Sequence, residues 1–217
     1  MNRKFLFVGT MLVLVAVFII GTLAYKSDNT RQTAQNVESN QGRLVQFYSP
    51  ALGNADAKVH IVEFLDPACE TCAVFYPYVK QMMAASPDRI RLTVRHVPFH
   101  TGSDQVVRIL EAARRQGKYW EALEAVLRNQ NRWVQNHTAQ PEQVWPVLEG
   151  IGLNIDQARA DMNAPDIAQR IAQDQSDARA LNVTKTPTYF VNGRPLPSFG
   201  LEQLRTLVRD EERAAYR

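Results

Sequence analysis

Cys69 and Cys72 are the only cysteines in this chain of 217 residues, and they stand in one run, Cys69-Glu70-Thr71-Cys72. Two thiols spaced this way at the start of a helix lie one turn apart and can close a small disulfide ring. A helix N-terminus gathers unpaired backbone N–H groups and the positive end of the dipole, which together stabilise an anion. Cys69, nearer that end, is expected to have a lowered pKa and to attack as the thiolate. Cys72, deeper in the helix, is expected to resolve the mixed disulfide that forms. Half of a zinc site is the rival reading, but it would need two further ligands. No other cysteine exists, and His60, His96, His100 and His137 show no paired ligand spacing. The sequence therefore assigns no metal and no cofactor. An inert pair of core cysteines is the remaining alternative, whereas a disulfide framework would need more cysteines spread along the chain.

The elements that must position the pair can be read from local patterns. Val59-His60-Ile61-Val62-Glu63-Phe64-Leu65 is apolar on both faces apart from His60 and Glu63, as expected of a central strand. Asp66-Pro67 breaks it, and a helix is predicted from Cys69 to about Ala85, with Pro77 inside it. Leu44–Tyr48 reads as a preceding short strand and Ile90–Val97 as a following one. From about 100 to 181 the pattern is helical. Val106, Ile109, Leu110 and Ala113 form one stripe, and Val144, Val147, Leu148 and Ile151 repeat its spacing. Thr188–Val191, the turn Asn192-Gly193 and Arg194–Leu196 predict a hairpin, followed by an amphipathic helix from Leu201. Strands split by a helical block predict an α/β mixed sheet carrying an inserted helical subdomain.

The N-terminus is different material. Asn2-Arg3-Lys4 is a basic head, and Phe5–Tyr25 is a run of 21 residues without a charge. As a helix that run would be ~31 Å long, about the thickness of a bilayer's hydrocarbon core. The expected organisation is a cytoplasmic head at 1–4, a transmembrane anchor at 5–25, a polar tether at 26–43 and a folded domain at 44–217. A cleaved signal peptide ending near Thr22-Leu23-Ala24 is the alternative. Both readings place the domain outside the cytoplasm, where disulfides persist. The net charge of +3, with acids and bases interspersed, gives no case for a nucleic-acid partner.

Three features together resemble the thioredoxin superfamily and, within it, the DsbA-like branch of exported bacterial oxidoreductases. They are the strand Val59–Leu65 with its Asp66–Cys72 loop and helix, the run Thr186-Pro187-Thr188-Tyr189-Phe190-Val191-Asn192-Gly193, and the helical block between them. The resemblance implies a cis Pro187 facing the Cys69 sulfur, with Thr186 offering backbone groups to an extended substrate strand. It also implies a buried acid, Glu63, that relays protons to the second cysteine. The residues themselves place Glu63 on one strand face with Ile61 and Leu65, where burial should raise its pKa. A structural carboxylate satisfied by a neighbouring strand is the alternative.

The best-known oxidases of the branch carry a histidine between the cysteines, whereas Glu70 and Thr71 stand here, so these two residues are expected to tune the thiol. Phe75, Tyr76, Tyr78, Met82 and Met83 are read as core rather than groove, and Arg95 and His96 receive no role. The resemblance implies a monomeric enzyme that acts on exported cysteine-containing proteins at the bacterial inner membrane, in the periplasm or its extracytoplasmic equivalent. A membrane redox partner of DsbB-like or DsbD-like type would reset it. Disulfide formation is the favoured direction. A reductase or isomerase kept reduced from the membrane, and a non-catalytic peptide-binding module, are the alternatives.

Overall fold

A computed structural model describes residues 3–217, and the side chains of all but residues 3–10, 26, 29–31, 33 and 34. The chain opens with helix α1 (Arg3–Ser39). Met1 and Asn2 of the expected head, and the side chains of 5–10 in the expected anchor, lie outside the described residues. Among the described residues no helix is long and apolar enough to cross a membrane. The described part of the apolar run, including Met11, Leu12, Val13, Leu14, Phe18 and Ile20, is uncovered by the rest of the chain.

The domain is built on a five-stranded sheet of order β1-β3-β2-β6-β7. Its strands are β1 (Ala51–Leu52), β2 (Val59–Leu65), β3 (Ile90–His96), β6 (Thr188–Val191) and β7 (Arg194–Pro195). Only β2 and β3 run parallel, joined by helix α2 (Glu70–Ala85); the other pairings are antiparallel. The α/β mixed sheet with its helical insertion is thus present. The insertion comprises α3 (Ser103–Arg115), α4 (Tyr119–Arg128), α5 (Gln130–Trp133), α6 (Ile155–Asp161) and α7 (Pro165–Ala180), and α8 (Leu201–Ala215) closes the chain. A small hairpin of β4 (Val134–Gln135) and β5 (Thr138–Ala139) also sits in the insertion.

Strand β2 is buried on both faces, and its alternation divides the core. Val59, Ile61 and Leu65 face a large cluster with α2, α3, α4 and α8, whereas Val62 and Phe64 face a smaller one with Val37, Leu44, Ala178 and Leu181. Each fully buried branched or aromatic side chain here contributes ~1.5–3 kcal/mol, so the central strand is held from two sides. Glu63 lies on the same face as Ile61 and Leu65, as its place in the alternation predicts.

Three expectations are corrected. Leu44–Tyr48 is not a strand, and the carbonyls at its start are taken by a buried side chain. Arg95 Nη1 donates to Arg43 O at 2.6 Å and to Leu44 O at 3.0 Å. The same guanidinium donates to Asp174 Oδ1 (2.8 Å) and Asp177 Oδ2 (2.7 Å) on α7, while Gln46 and Tyr48 also donate to those two carboxylates. Burial pushes the Asp177 carboxyl up, but the hydrogen bonds from Arg95 and Gln46 outweigh it and hold the pKa low. Arg95, given no role by the sequence, is therefore a buried clamp between β3, segment 43–48 and α7.

The expected tether is the second correction. Helix α1 continues through it to Ser39, Val37 is buried, and Asn36 Nδ2 donates to Ala180 O at 2.9 Å. In the third, the Val144–Ile151 stripe forms a 3₁₀ turn at Trp145–Leu148, just after another at Pro141–Gln143. Pro146, Gly150 and Gly152 deny it an α-helix.

Removing one partner of a buried ion pair leaves an uncompensated charge, which costs ~3–5 kcal/mol. Arg95→Met should lower unfolding stability in urea by that amount. A loss under 1 kcal/mol would mean that segment 43–48 is held by apolar packing alone.

Candidate active site

The site is set where β2 ends. Asp66 is fully buried and its carboxylate accepts from Ala68 N (2.9 Å), Phe99 N (2.7 Å), His100 N (2.8 Å) and His100 Nδ1 (2.7 Å), and from the Ser103 hydroxyl. The loop before α2 is thereby joined to the loop after β3. From the insertion, Gln130 Nε2 donates to Pro67 O (2.6 Å) and Cys69 O (3.0 Å). The sequence reading missed both residues. Asp66 looked like a strand breaker, and nothing local marks Gln130.

Cys69 is the N-cap of α2, with extended backbone, and Cys72 lies in the first turn. Both are free and buried, Cys72 completely. The Cys69 Sγ–H donates to Thr186 O at 3.3 Å, and the Thr186–Pro187 peptide is cis. The Cys69 thiol is lowered from 9.0 to about 6. A hydrogen bond from the Cys72 side chain contributes most; burial opposes it, and Thr186 and the backbone N–H groups of Cys72 and Thr71 add to it. Cys72 moves the other way, pushed up first by burial and then by its hydrogen bond to Cys69 and the charge of Glu63.

Glu63 faces Tyr189 across the β2–β6 ladder. Tyr189 OH donates to Glu63 Oε1 at 2.9 Å, while Oε2 is buried with no partner among the described residues. Burial raises this carboxyl to about 8, partly offset by the Tyr189 hydrogen bond. The neighbouring strand therefore satisfies one oxygen and leaves the other bare.

Thr71 contributes its backbone N–H to Cys69, but Glu70 does not figure among the causes of the thiol's shift. Its exposed carboxylate instead lies 3.3 Å from His137 Nδ1. Phe75 and Tyr76 are buried and Met82 and Met83 pack on the core, while Tyr78 is exposed. Phe75 stacks on Phe199, centroids 4.9 Å apart. Phe199 in turn lines a groove beside Pro187 with Lys185, Thr188, Leu196 and Pro197.

A family profile described as Thioredoxin matches residues 46–210. Among solved structures, a thioredoxin-like oxidoreductase from Silicibacter pomeroyi is 30% identical, with a TM-score of 0.67, covering 78% of this chain and 95% of that one. A probable disulfide bond formation protein D of Bacillus cereus is 26% identical, over 88% of this chain and 90% of its own length. A Na(+)/H(+) antiporter NhaA of Herminiimonas arsenicoxydans is 28% identical over 87% of this chain, but the match spans only 30% of the antiporter. The chain thus spans less than a third of the length of the curated relatives that head its matches.

The opposite shifts of the two thiols set an order of reaction. Alkylation of the reduced protein should label Cys69 first, with a rate that rises through a midpoint near pH 6, and faster labelling of Cys72 would reverse the assignment. The folded Cys69 thiol titrates below its unfolded value of 9.0. Its contribution to stability is therefore complete above pH 9 and lost as the pH falls through 6. The margin of reduced wild type over Cys69→Ser in urea midpoints should grow with pH between those limits.

Proposed function

The chain belongs to the thioredoxin superfamily as a DsbA-like thiol–disulfide oxidoreductase, and from that premise we propose that it forms disulfides in exported proteins through the Cys69/Cys72 couple. The observation that carries the reading is the placement of Cys69 Sγ at the head of α2 and 3.3 Å from Thr186 O, with Cys72 sealed behind it. In the oxidised enzyme a substrate thiolate attacks Cys69 Sγ and the Cys69–Cys72 bond breaks. Cys72 leaves and takes a proton. A second substrate thiolate then attacks the substrate sulfur of the mixed disulfide and releases Cys69 as a thiolate. The substrate loses two electrons and the enzyme gains them. A low Cys69 pKa makes that sulfur a good leaving group and favours the oxidising direction.

Glu63 supports the step. Raised to about 8, it holds a proton near neutral pH, and once ionised its charge raises the Cys72 thiol further. It is the group that gives Cys72 its proton on leaving and takes it back when the disulfide reforms. Thr186 and Pro187, beside the groove lined by Lys185 and Phe199, receive the substrate as an extended strand. Electrons then pass to a membrane redox partner of DsbB-like type; if the enzyme works as a reductant, it receives them instead from a partner of DsbD-like type. The uncovered apolar helix from Met11 to Tyr25 supports an anchor at Phe5–Tyr25 in a bacterial inner membrane, with the domain outside the cytoplasm as a monomer.

Wild type should speed disulfide formation in a reduced, unfolded substrate, and Cys69→Ser should abolish it. Cys72→Ser, which cannot hold the enzyme disulfide, should also lose it, and its Cys69 thiolate should accumulate mixed disulfides on attacking substrate disulfides, since the Cys72 thiol that would release them is gone. Activity in insulin reduction but none in oxidation would make the reductase reading the right one. Binding of unfolded substrate that survives in Cys69→Ser, with no turnover in wild type, would make it a peptide-binding module.

Glu70 carries a negative charge next to the thiolate, in the inner dipeptide where the resemblance puts a histidine in the strongest oxidases of the branch. Replacing it by Gln should stabilise the reduced form and raise the reduction potential against glutathione. The carboxylate is exposed and screened, so the rise should stay within ~30 mV. An unchanged potential would leave control of the thiol to Cys72, Thr186 and the helix end.

A further inference from the structure

We propose that Glu70, His100 and His137 form a binding site for a borderline-soft divalent metal ion of the Zn²⁺ type at the edge of the thiol site. The three residues come from separate elements: the first turn of α2, the loop after β3 and the turn of the β4–β5 hairpin. No sequence spacing joins them, yet each offers a ligand atom and those atoms lie within 4.8 Å of one another. Two imidazoles and one carboxylate are the donor set of three-ligand zinc sites, with a further position left for water or another ligand.

The orientation of His100 is the strongest support. Its Nδ1 lies 2.7 Å from Asp66 Oδ2, a buried carboxylate that accepts from every other group around it. Nδ1 therefore donates, and the ring lone pair is left on Nε2. A carboxylate behind a histidine, fixing its tautomer and raising its basicity, is the outer-shell arrangement that metal-ligating histidines use. His100 is also the least exposed of the three ligands, so its ring is held by protein rather than by solvent.

His137 is held by its backbone. Asn136 and His137 are the two central residues of the hairpin turn, with φ of 48° and 58°. A two-residue turn with both φ positive presents its side chains from a narrow, defined tip. The hairpin is fixed to the His100 loop by a hydrogen bond from Ala139 N to Thr101 O at 2.9 Å. Gly102 permits that approach, since a Cβ there would meet Ala139 O at 2.8 Å. As a result the His100 and His137 rings lie nearly parallel, with centroids 6.3 Å apart and planes 26° from each other.

Donor spacing agrees with the assignment. Ligand atoms ~2.0–2.2 Å from a tetrahedral zinc lie roughly 3.3–3.6 Å from one another. Glu70 Oε1 and His137 Nδ1 are already 3.3 Å apart. The widest pair needs to close by roughly 1 Å, and the exposed side chains of Glu70 and His137 have the freedom to do so. The positive end of α2 opposes a cation here, and the carboxylates of Glu70 and Asp66 oppose that in turn. A bound ion would tie the hairpin and the β3 loop to the start of α2, immediately beside Cys69. His60 and His96 take no part, since their rings are engaged by Thr93 and Tyr119.

The test removes the thiols, so that its outcome is independent of any redox activity. Full-length, tag-free protein carrying Cys69→Ala and Cys72→Ala, in neutral detergent, is titrated calorimetrically with Zn²⁺. One equivalent should bind, and zinc should raise the melting temperature. Adding His137→Ala should weaken binding at least tenfold and abolish the thermal shift, and Glu70→Gln, which keeps the side chain's shape, should also weaken it. Adding His60→Ala should change neither. Co²⁺ in place of zinc should give the visible absorption of a four-coordinate site, lost in His137→Ala. Failure of zinc to bind saturably, or binding that His137→Ala and Glu70→Gln leave unchanged, would overturn the site.

Discussion

The carboxylate of Asp66 is the constraint on which the rest of the site depends. A buried charge is tolerable only when donors surround it, and Asp66 draws its donors from three places: its own loop at Ala68, the β3 loop at Phe99 and His100, and the head of α3 at Ser103. None of those segments can move far without uncovering the charge. The loop that delivers Cys69 is thus fixed to the sheet on one side and to the helical insertion on the other, with Gln130 holding its carbonyls from above. The Cys69 thiol sits on a rigid frame although it lies at the end of a loop.

Around that frame, burial is divided so that neighbouring groups differ. Cys69 and Cys72 are one helical turn apart, yet one is surrounded by donors and the other is sealed in the core. Glu63 and Tyr189 form a similar contrast, since a single hydroxyl serves one oxygen of a carboxylate that has no other partner among the described residues. A group that is kept neutral beside a group that is kept charged is how a fold separates acid from nucleophile near neutral pH.

Much of this was legible in the sequence where the signal was local. The apolar run of β2, the break at Asp66-Pro67, the Cys69–Cys72 spacing and the Asn192-Gly193 hairpin are written in consecutive residues. They read correctly because short-range chemistry decides them. The burial of Glu63 was legible for the same reason, from its place in an alternating strand. What escaped is long-range. Leu44–Tyr48 has the composition of a strand, and it is Arg95, some fifty positions later, that takes the carbonyls of Arg43 and Leu44 at its start. Asp66, Gln130 and the meeting of Glu70 with His100 and His137 depend on which loops fold against one another. No periodicity records that.

One feature of the N-terminal helix changes how the domain presents itself. Because α1 stays helical to Ser39 and is seated through Asn36 and Val37, the segment after Tyr25 is a rod rather than a leash, ~20 Å long at 1.5 Å per residue. A leash lets a domain tumble and meet partners from any side. A rod transmits direction, so the angle at which α1 is planted is inherited by the mouth of the thiol site. With α1 anchored as proposed, partners would arrive only from the quarter that the mouth faces, and the geometry of approach would be a filter of its own, separate from any affinity in the groove.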